Sequence, residues 1–415
     1  MVTGSELVRG ERADLNGPYL ARELIALGFE AARISIVGDQ PVELADALRQ
    51  GLGADLCVIS GGLGPTHDDR TVEVLADVTG RALDVRPELE AEIGAISRRI
   101  ADRLGRPWSE FEHGVRKQAS LPRDGISLGL AGTAPGIVLP LESTVAVVLP
   151  GPPAELQRLW GSALRSDALR PLLVRARPPD RRVLRFYGIS ESMVARTLAE
   201  SGGEGAGVEV TVCARELEVH VDLLADSGAG AHADRIAERL RAELAPHLFA
   251  EDDRPVEELV LSLCGERGFS LATAESCTGG LVAARLTAVP GASESLLGSI
   301  VAYADAVKVG ELAVPEDVLR LHGAVSAETA RAMTRGVRAR LGADVAVSVT
   351  GVAGPGGGTS DKPVGLVYLH AETPDTEEAA HFRLPGDRDH VRRRAAAAAL
   401  HLLRRVLGQR RHTPV

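Results

Sequence analysis

Four residues carry the chemistry most open to reading in this sequence: Ser276, Tyr303, Thr350 and Lys308. Ser276 lies in Ala274-Glu275-Ser276-Cys277-Thr278-Gly279-Gly280, after an apolar run (Phe269, Leu271, Ala272) and before a helical pattern (Leu281, Val282, Ala283, Leu286). A strand turning there into a helix N-terminus would offer free N–H groups to an anion or a developing oxyanion, with Ser276 and Thr278 at its mouth. A serine hydroxyl attacks a carbonyl only once its proton is taken, and a desolvated lysine is a suitable base. Tyr303 could relay that proton or orient Lys308. Thr350, with the N–H groups of the glycine-rich turn behind it, could hold a substrate oxygen. Together these groups suit hydrolysis of an amide. Singly they read as an N-cap, a buried aromatic, a solvated helix lysine and a turn residue.

Composition singles out Lys308 independently. Of 47 Lys+Arg only three are lysines, Lys117, Lys308 and Lys362. Arginine cannot deprotonate in a protein and lysine can, so a lysine kept in so arginine-rich a chain is a candidate for proton chemistry.

A second constellation is Gly61-Gly62-Leu63-Gly64-Pro65-Thr66-His67-Asp68-Asp69-Arg70-Thr71, which follows the apolar run at residues 56–60 and leads into a helix. Gly61, Gly62 and Gly64 permit close approach of a phosphate, Thr66 adds a hydroxyl, and the helix behind supplies a dipole. Paired Asp68 and Asp69 would repel a bare phosphate unless a divalent cation stood between them; their bland role is to cap the helix.

The elements that hold these loops follow from pattern. Residues 1–170 alternate strands and helices, with strands near residues 35–37, 56–60, 136–139 and 144–149. Leu89, Ile93, Ile96, Ile100 and Leu104 mark one helix face. The order predicts an α/β domain, its parallel or mixed sheet covered by helices and binding ligands at the C-terminal strand ends. Residues 171–252 open with an Arg- and Pro-rich linker at 175–182 and continue as a small β-α-β-β-α unit. In its second long strand Leu217, Val219 and Val221 alternate with Glu218, His220 and Asp222, predicting one buried and one wet face. Residues 253–415 form a third α/β domain in which three apolar strand ends present Ser276, Tyr303 and Thr350.

The totals exclude several classes. At 415 residues two or three domains are expected, and 45% hydrophobic with 25% charged residues reads as soluble and globular. A net charge of −10 and 3% aromatic residues argue against nucleic acid as a partner. Cys57, Cys213, Cys264 and Cys277 form no metal or disulfide spacing, which suits a reducing cytoplasm. No signal peptide or membrane-length apolar run is seen. The arginines at 388, 392–394, 404, 405, 410 and 411 read as a solvated helix face and tail.

Several motifs, in order, give the chain a family resemblance. Thr3-Gly4-Ser5-Glu6-Leu7, Asp14-Leu15-Asn16, Val37-Gly38-Asp39, the loop at residues 61–71, Gly132-Thr133-Ala134-Pro135-Gly136 and Leu149-Pro150-Gly151-Pro152-Pro153 resemble the N-terminal domain of the CinA family. That domain is similar to the molybdopterin-binding fold. The resemblance implies a nucleotide-like ligand at Gly61, Gly62, Gly64 and Thr66 and, in some members, metal-assisted ADP-ribose pyrophosphatase activity, with Asp68 and Asp69 as metal ligands. Members carry a longer apolar first strand, whereas only Met1 and Val2 precede Thr3, so either the start is misassigned or the central strand is clipped.

Residues 171–252 resemble the family's KH-like middle domain. Gly202-Gly203-Glu204-Gly205 carries an acid where an RNA clamp needs bases, so a spacer role is expected.

The motif around Ser276, Val301-Ala302-Tyr303 with Lys308, Gly323-Ala324-Val325-Ser326, residues 350–357, Lys362-Pro363-Val364-Gly365 and Gly386-Asp387-Arg388 resemble the C-terminal CinA domain. This implies metal-free deamidation of nicotinamide mononucleotide. Ser276 would be the nucleophile, Lys308 its base with Tyr303 assisting, and Thr350 an orienting residue. Thr278, Gly279, Gly280, Gly351 and Gly354 would bind substrate, and Arg388 its phosphate. Many members have Tyr-Ser-Asn where this chain has Tyr303-Ala304-Asp305, which removes or alters two hydrogen-bonding positions. A homodimer is the expected assembly. The rival readings are a nucleotide-binding regulator without catalysis and a molybdopterin-binding protein.

Overall fold

The computed structural model of the protein describes residues 1–178, 180–202 and 205–409. Gly203, Glu204, Arg410 and Arg411 lie outside the described residues, and with them the centre of the Gly-rich turn and the end of the basic tail. The chain divides into two compact units, Met1–Pro179 and Asp180–Val415.

In the first unit, β1 (Val2–Thr3), β2 (Ile36–Val37), β3 (Leu56–Ser60), β4 (Ile126–Leu130), β5 (Pro135–Pro140) and β6 (Val145–Leu149) form one sheet in the order β2-β1-β3-β6-β5-β4. β2, β1, β3 and β6 run parallel, while β5 and β4 are antiparallel additions. The runs in β3 and β6 are apolar almost throughout because both faces are covered. The covering helices include α1 (Asn16–Ala26), α2 (Pro41–Gly51), α3 (Thr71–Thr79), α4 (Pro87–Leu104), α5 (Ser109–Gln118) and α6 (Pro153–Leu164). Proline opens α2, α4 and α6, where the missing N–H costs nothing. The expected α4 face holds at Leu89 and Ile93 but leaves the core by Leu104, which is 62% exposed.

β1 is two residues long yet central. Val2 pairs with Ile36 on one side and Ser60 on the other. The Met1 ammonium donates to the Val58 carbonyl at 2.8 Å, and burial lowers its pKa. A cleft of about 650 Å³ is lined by Met1, Ile34, Ser35, Leu56 and Cys57 together with Leu20 and Leu24 of α1.

The second unit carries two sheets. β7 (Asp180–Tyr187), β8 (Val208–Arg215), β9 (Glu218–Ala225) and β10 (Leu248–Ala250) form an antiparallel sheet, β8-β9-β7-β10, packed by α7 (Glu191–Glu200) and α8 (Gly230–Leu244). The expected linker at 175–182 is thus shorter, since strand structure starts at Asp180.

After α9 (Val256–Arg267) comes a mixed sheet, with its elements in chain order as follows. β11 (Leu271–Glu275), α10 (Leu281–Thr287), β12 (Leu296–Val301), α11 (Asp305–Leu312), α12 (Ala327–Leu341), β13 (Val345–Gly351), β14 (Leu366–Glu372), β15 (Glu377–Arg383) and α13 (Arg388–Gly408) build it. Its strand order is β12-β11-β13-β14-β15, parallel from β12 to β13. α13 buries an alanine- and leucine-rich face against α9 and the sheet.

Two expectations fail here for tertiary reasons. Glu218, placed on the wet face of its strand, is buried, because His401 of α13 packs over it and donates to its carboxylate at 2.8 Å, while His220 does the same at 2.8 Å. Tyr187 stacks on His401 at 3.7 Å. The α13 arginines are also less solvated than expected. Arg392 donates to the Thr278 carbonyl at 2.9 Å, Arg405 pairs with Glu378 at 2.6 Å, and Arg404 lies partly buried over Phe249.

Candidate active site

The parallel strands of the second unit end together. Glu275 pairs with Val301 and Val349 in register, so the chain leaves β11, β12 and β13 at one level and delivers Ser276, Tyr303 and Thr350 to the same edge. The Ser276 N–H donates to the Val349 carbonyl at 2.9 Å, which fixes the serine beside Thr350. Ala302 N–H donates to the Glu275 carbonyl at 2.8 Å and fixes the Tyr303 side likewise.

Lys308, on the second turn of α11, is 1% exposed. Its Nζ donates to the Tyr303 carbonyl at 3.2 Å and to Asp305 Oδ1 at 3.3 Å. Among the described residues it makes no hydrogen bond to Ser276. Asp305, where many relatives of the resemblance carry asparagine, therefore gives the lysine an ion-pair partner. The Tyr303 side chain is 59% exposed and its hydroxyl accepts from Arg388 Nη2 at 2.7 Å. Arg388 Nη1 donates to the Gly354 carbonyl at 2.8 Å, so one guanidinium ties the glycine-rich turn to the tyrosine. Thr350 donates its hydroxyl to the Ala324 carbonyl at 2.7 Å, leaving only its lone pairs for a ligand. Lys117 and Lys362 resemble Lys308 in one respect: each donates to a main-chain carbonyl, of Thr66 and His322.

The expectation of free amides at the Ser276 turn holds only for Cys277 and Thr278, since the amides further along are taken. Glu275, fully buried, folds back over the N-terminus of α10 and accepts from the N–H groups of Gly280 at 2.9 Å, Val282 at 3.1 Å and Ala283 at 2.9 Å. The helix dipole already has its anion. Thr278, expected at the mouth, is fully buried, and its Oγ1 has no hydrogen-bond partner. Gly279 and Gly280 take φ of 61° and 95° and shape the turn around Glu275. Oxyanion donors remain at Cys277 and Thr278, whose N–H groups donate to nothing among the described residues, and at the turn after Gly351, where the same holds for Gly354, Gly356 and Gly357. Burial pushes the neighbouring Cys277 thiol up to about 12, which leaves Ser276 as the nucleophile of this turn.

The first unit holds a cleft of about 630 Å³ at the C-terminal ends of β1, β3 and β6, lined by Gly61, Gly62, Gly64, Asp68, Asp69, Thr133 and Glu155 among others. Gly61 has φ 104°, and a Cβ there would sit 2.6 Å from the Thr3 carbonyl; at Gly62 it would sit 2.1 Å from Thr71 Oγ1. No other residue fits either position. Asn16 Nδ2 ties the loops together, donating to Ser60 Oγ at 2.9 Å and the Gly151 carbonyl at 2.7 Å. Thr66 faces inward on its own loop, its N–H donating to Asp69 Oδ2 at 3.0 Å and its hydroxyl to the same oxygen. A bond to Thr66 also lowers the pKa of Asp68. The aspartates therefore brace the loop, and neither caps α3.

A third constellation gave no sequence signal. His370, Glu372 and Glu377 bring ligand-type atoms within 4.8 Å of one another on β14 and β15. Glu372 faces Glu377 directly across the strands, a repulsive pairing. Arg331, Arg335 and Arg338 of α12 answer it with ion pairs to both carboxylates, so the cluster reads as packing of α12 on the hairpin rather than as a cation site. Burial holds His370 neutral, at about 4.

With the geometry established, similarity to known proteins can be read beside it. Residues 253–407 match the family described as CinA C-terminal domain, and residues 1–170 match the one described as probable molybdopterin binding domain. A CinA-like protein of Mycobacterium sp. (strain JLS) is 42% identical over 414 residues, covering 98% of both chains. A CinA-like protein of Mycolicibacterium gilvum (strain PYR-GCK) is 42% identical over 415 residues, covering 98% of this chain and 97% of its own. The solved structure of the competence/damage inducible protein CihA from Agrobacterium tumefaciens is 36% identical, covering 39% of this chain and 100% of its own, with a TM-score of 0.36.

Proposed function

The chain belongs to the CinA family, and from that premise we propose that its second unit deamidates nicotinamide mononucleotide to nicotinate mononucleotide and ammonia. The observation that carries this reading is the convergence of Ser276, Tyr303 and Thr350 on adjacent strand ends with the buried Lys308 anchored beside them. Ser276 Oγ attacks the carboxamide carbon, and its proton passes to Lys308 in the neutral form and from there to the leaving nitrogen. The C–N bond breaks as ammonia leaves, and water, losing its proton to the same lysine, hydrolyses the acyl-serine and regenerates the hydroxyl. The free amides of Gly354, Gly356 and Gly357 receive the oxyanion. Arg388, fixed by Gly354 and Tyr303, offers its remaining charge to the substrate phosphate.

The test is ammonia release by the purified chain from nicotinamide mononucleotide. Release should be abolished by Ser276→Ala and should fall at least ~100-fold in Lys308→Arg, which keeps the charge but cannot accept a proton. Absence of release from the unaltered protein overturns the reading; full activity in Lys308→Arg overturns the role of the lysine.

The acidic cleft of the first unit favours a second activity, metal-assisted cleavage of ADP-ribose. Asp68 and Asp69 lie at the exposed rim and keep carboxylate oxygens beyond those bonded to Thr66, a donor set that fits a divalent cation. Such a cation would offset the charge of the diphosphate. The amides and close-set glycines at residues 61–64 bring the backbone to the phosphates. Cleavage stopped by chelator and by Asp68→Ala is expected; no cleavage with any of several divalent metals counts against it.

A further inference from the structure

One carboxylate of the first-unit cleft has no task in this account. Glu155 stands in the first turn of α6, behind Pro152 and Pro153, and lines the same cleft as Gly61, Asp68 and Asp69. Three of the aspartates there are committed to the main chain or to a hydroxyl. Asp14 accepts from the N–H groups of Asn16 and Gly17 at 2.9 and 3.1 Å. Asp39 accepts from the N–H and hydroxyl of Ser5 at 2.9 and 2.6 Å. Asp69 holds Thr66, and Thr66 beside Asp68 lowers that carboxyl's pKa. Glu6 is left without a bonded partner, since Arg9 pairs with Glu11 instead.

Glu155, like Glu6, has neither a side-chain hydrogen bond nor an ion pair among the described residues, but it stands on the longer helix α6 and faces the 132–134 loop across the cleft. Burial, with nothing to oppose it, raises its pKa. It lies so close over the 132–134 loop that a Cβ on Gly132 would sit 2.5 Å from its Oε1. The carboxyl group is thus placed in the cleft by packing rather than by bonds that would occupy its oxygens.

We propose that Glu155 is the catalytic base of this cleft, taking a proton from the water that attacks a phosphorus of the bound diphosphate. The water oxygen forms the new P–O bond and the bridging P–O bond breaks. The leaving phosphate keeps the electron pair, and the proton rests on the Glu155 carboxylate before passing to solvent. A base works best when its lone pairs are not already shared with other donors, a condition that Glu155 meets while lying over the 132–134 loop inside the cleft. This role rests on the ADP-ribose reading above.

The experiment compares the full chain with Glu155→Gln, following ADP-ribose cleavage against pH with magnesium or manganese, and ADP-ribose affinity by calorimetry with calcium. The expected result is affinity within about twofold of the unaltered chain, cleavage slowed at least ~100-fold, and loss of the acidic limb of the kcat profile. Cleavage at the original rate with an unchanged profile overturns the base role while leaving the ADP-ribose reading intact. A large loss of affinity overturns it in favour of a ligand-holding role. If the unaltered chain binds ADP-ribose but never cleaves it, the reading itself fails, and the base role with it. A thermal melt matching the unaltered chain separates each result from misfolding.

Discussion

Lys308 is bound to Tyr303 through the main chain: its Nζ donates to the Tyr303 carbonyl, while the tyrosine hydroxyl turns to Arg388. Support for the lysine therefore does not depend on the phenol. Tyr303→Phe should leave kcat for deamidation within about tenfold and raise KM, because it frees Arg388 from one of its two anchors. A loss of ~100-fold or more in kcat at unchanged KM would instead show the hydroxyl relaying protons.

Glu275 should be a stability residue of the second unit. It accepts three amide hydrogen bonds from complete burial, and Glu275→Ala would leave those donors unpaired. The expected cost is roughly 2–4 kcal/mol, read as a lower urea midpoint. A midpoint unchanged from the parent chain would remove the capping role.

The buried Glu218 makes stability depend on acid. Burial alone would raise its carboxyl, but hydrogen bonds from His220 and His401 overcome this and bring it to about 2. Burial pushes His401 down to about 4 despite Glu218, so a neutral ring donates to a charged carboxylate. The unfolded chain takes up the histidine proton near pH ~6.5 and the folded chain only near its lowered value, so stability falls as pH drops through that interval. The Glu218 contribution, on the order of 3 kcal/mol, is lost further down, from about pH 4 towards 2. Urea unfolding against pH should show the first slope, and His401→Gln should flatten it. An identical slope in that variant would place the effect elsewhere.

Local pattern carried much of this fold. The strand Leu56–Ser60, the start of α3 at Thr71 and the helix Val256–Arg267 follow from apolar runs and periodicity alone. β15 was not anticipated, because Glu377-Glu378-Ala379-Ala380 has no strand propensity and is held by pairing with β14. The burial of Glu218 depends on His401, 183 residues away, which no local alternation reports. The motifs located Ser276, Tyr303 and Thr350, but that Glu275 would consume the amides of Gly280, Val282 and Ala283 is a matter of one side-chain direction. Glu155 escaped notice for a related reason: a helix-opening glutamate is ordinary until the loop across from it is seen.

Deamidation turns a neutral carboxamide into a carboxylate at the place where it was made. A helix end with open amides would grip that new anion and slow turnover. Here Glu275 has filled the Gly280, Val282 and Ala283 amides from within, so the proposed reaction would create its charge beside a helix end that no longer offers those amides to an anion.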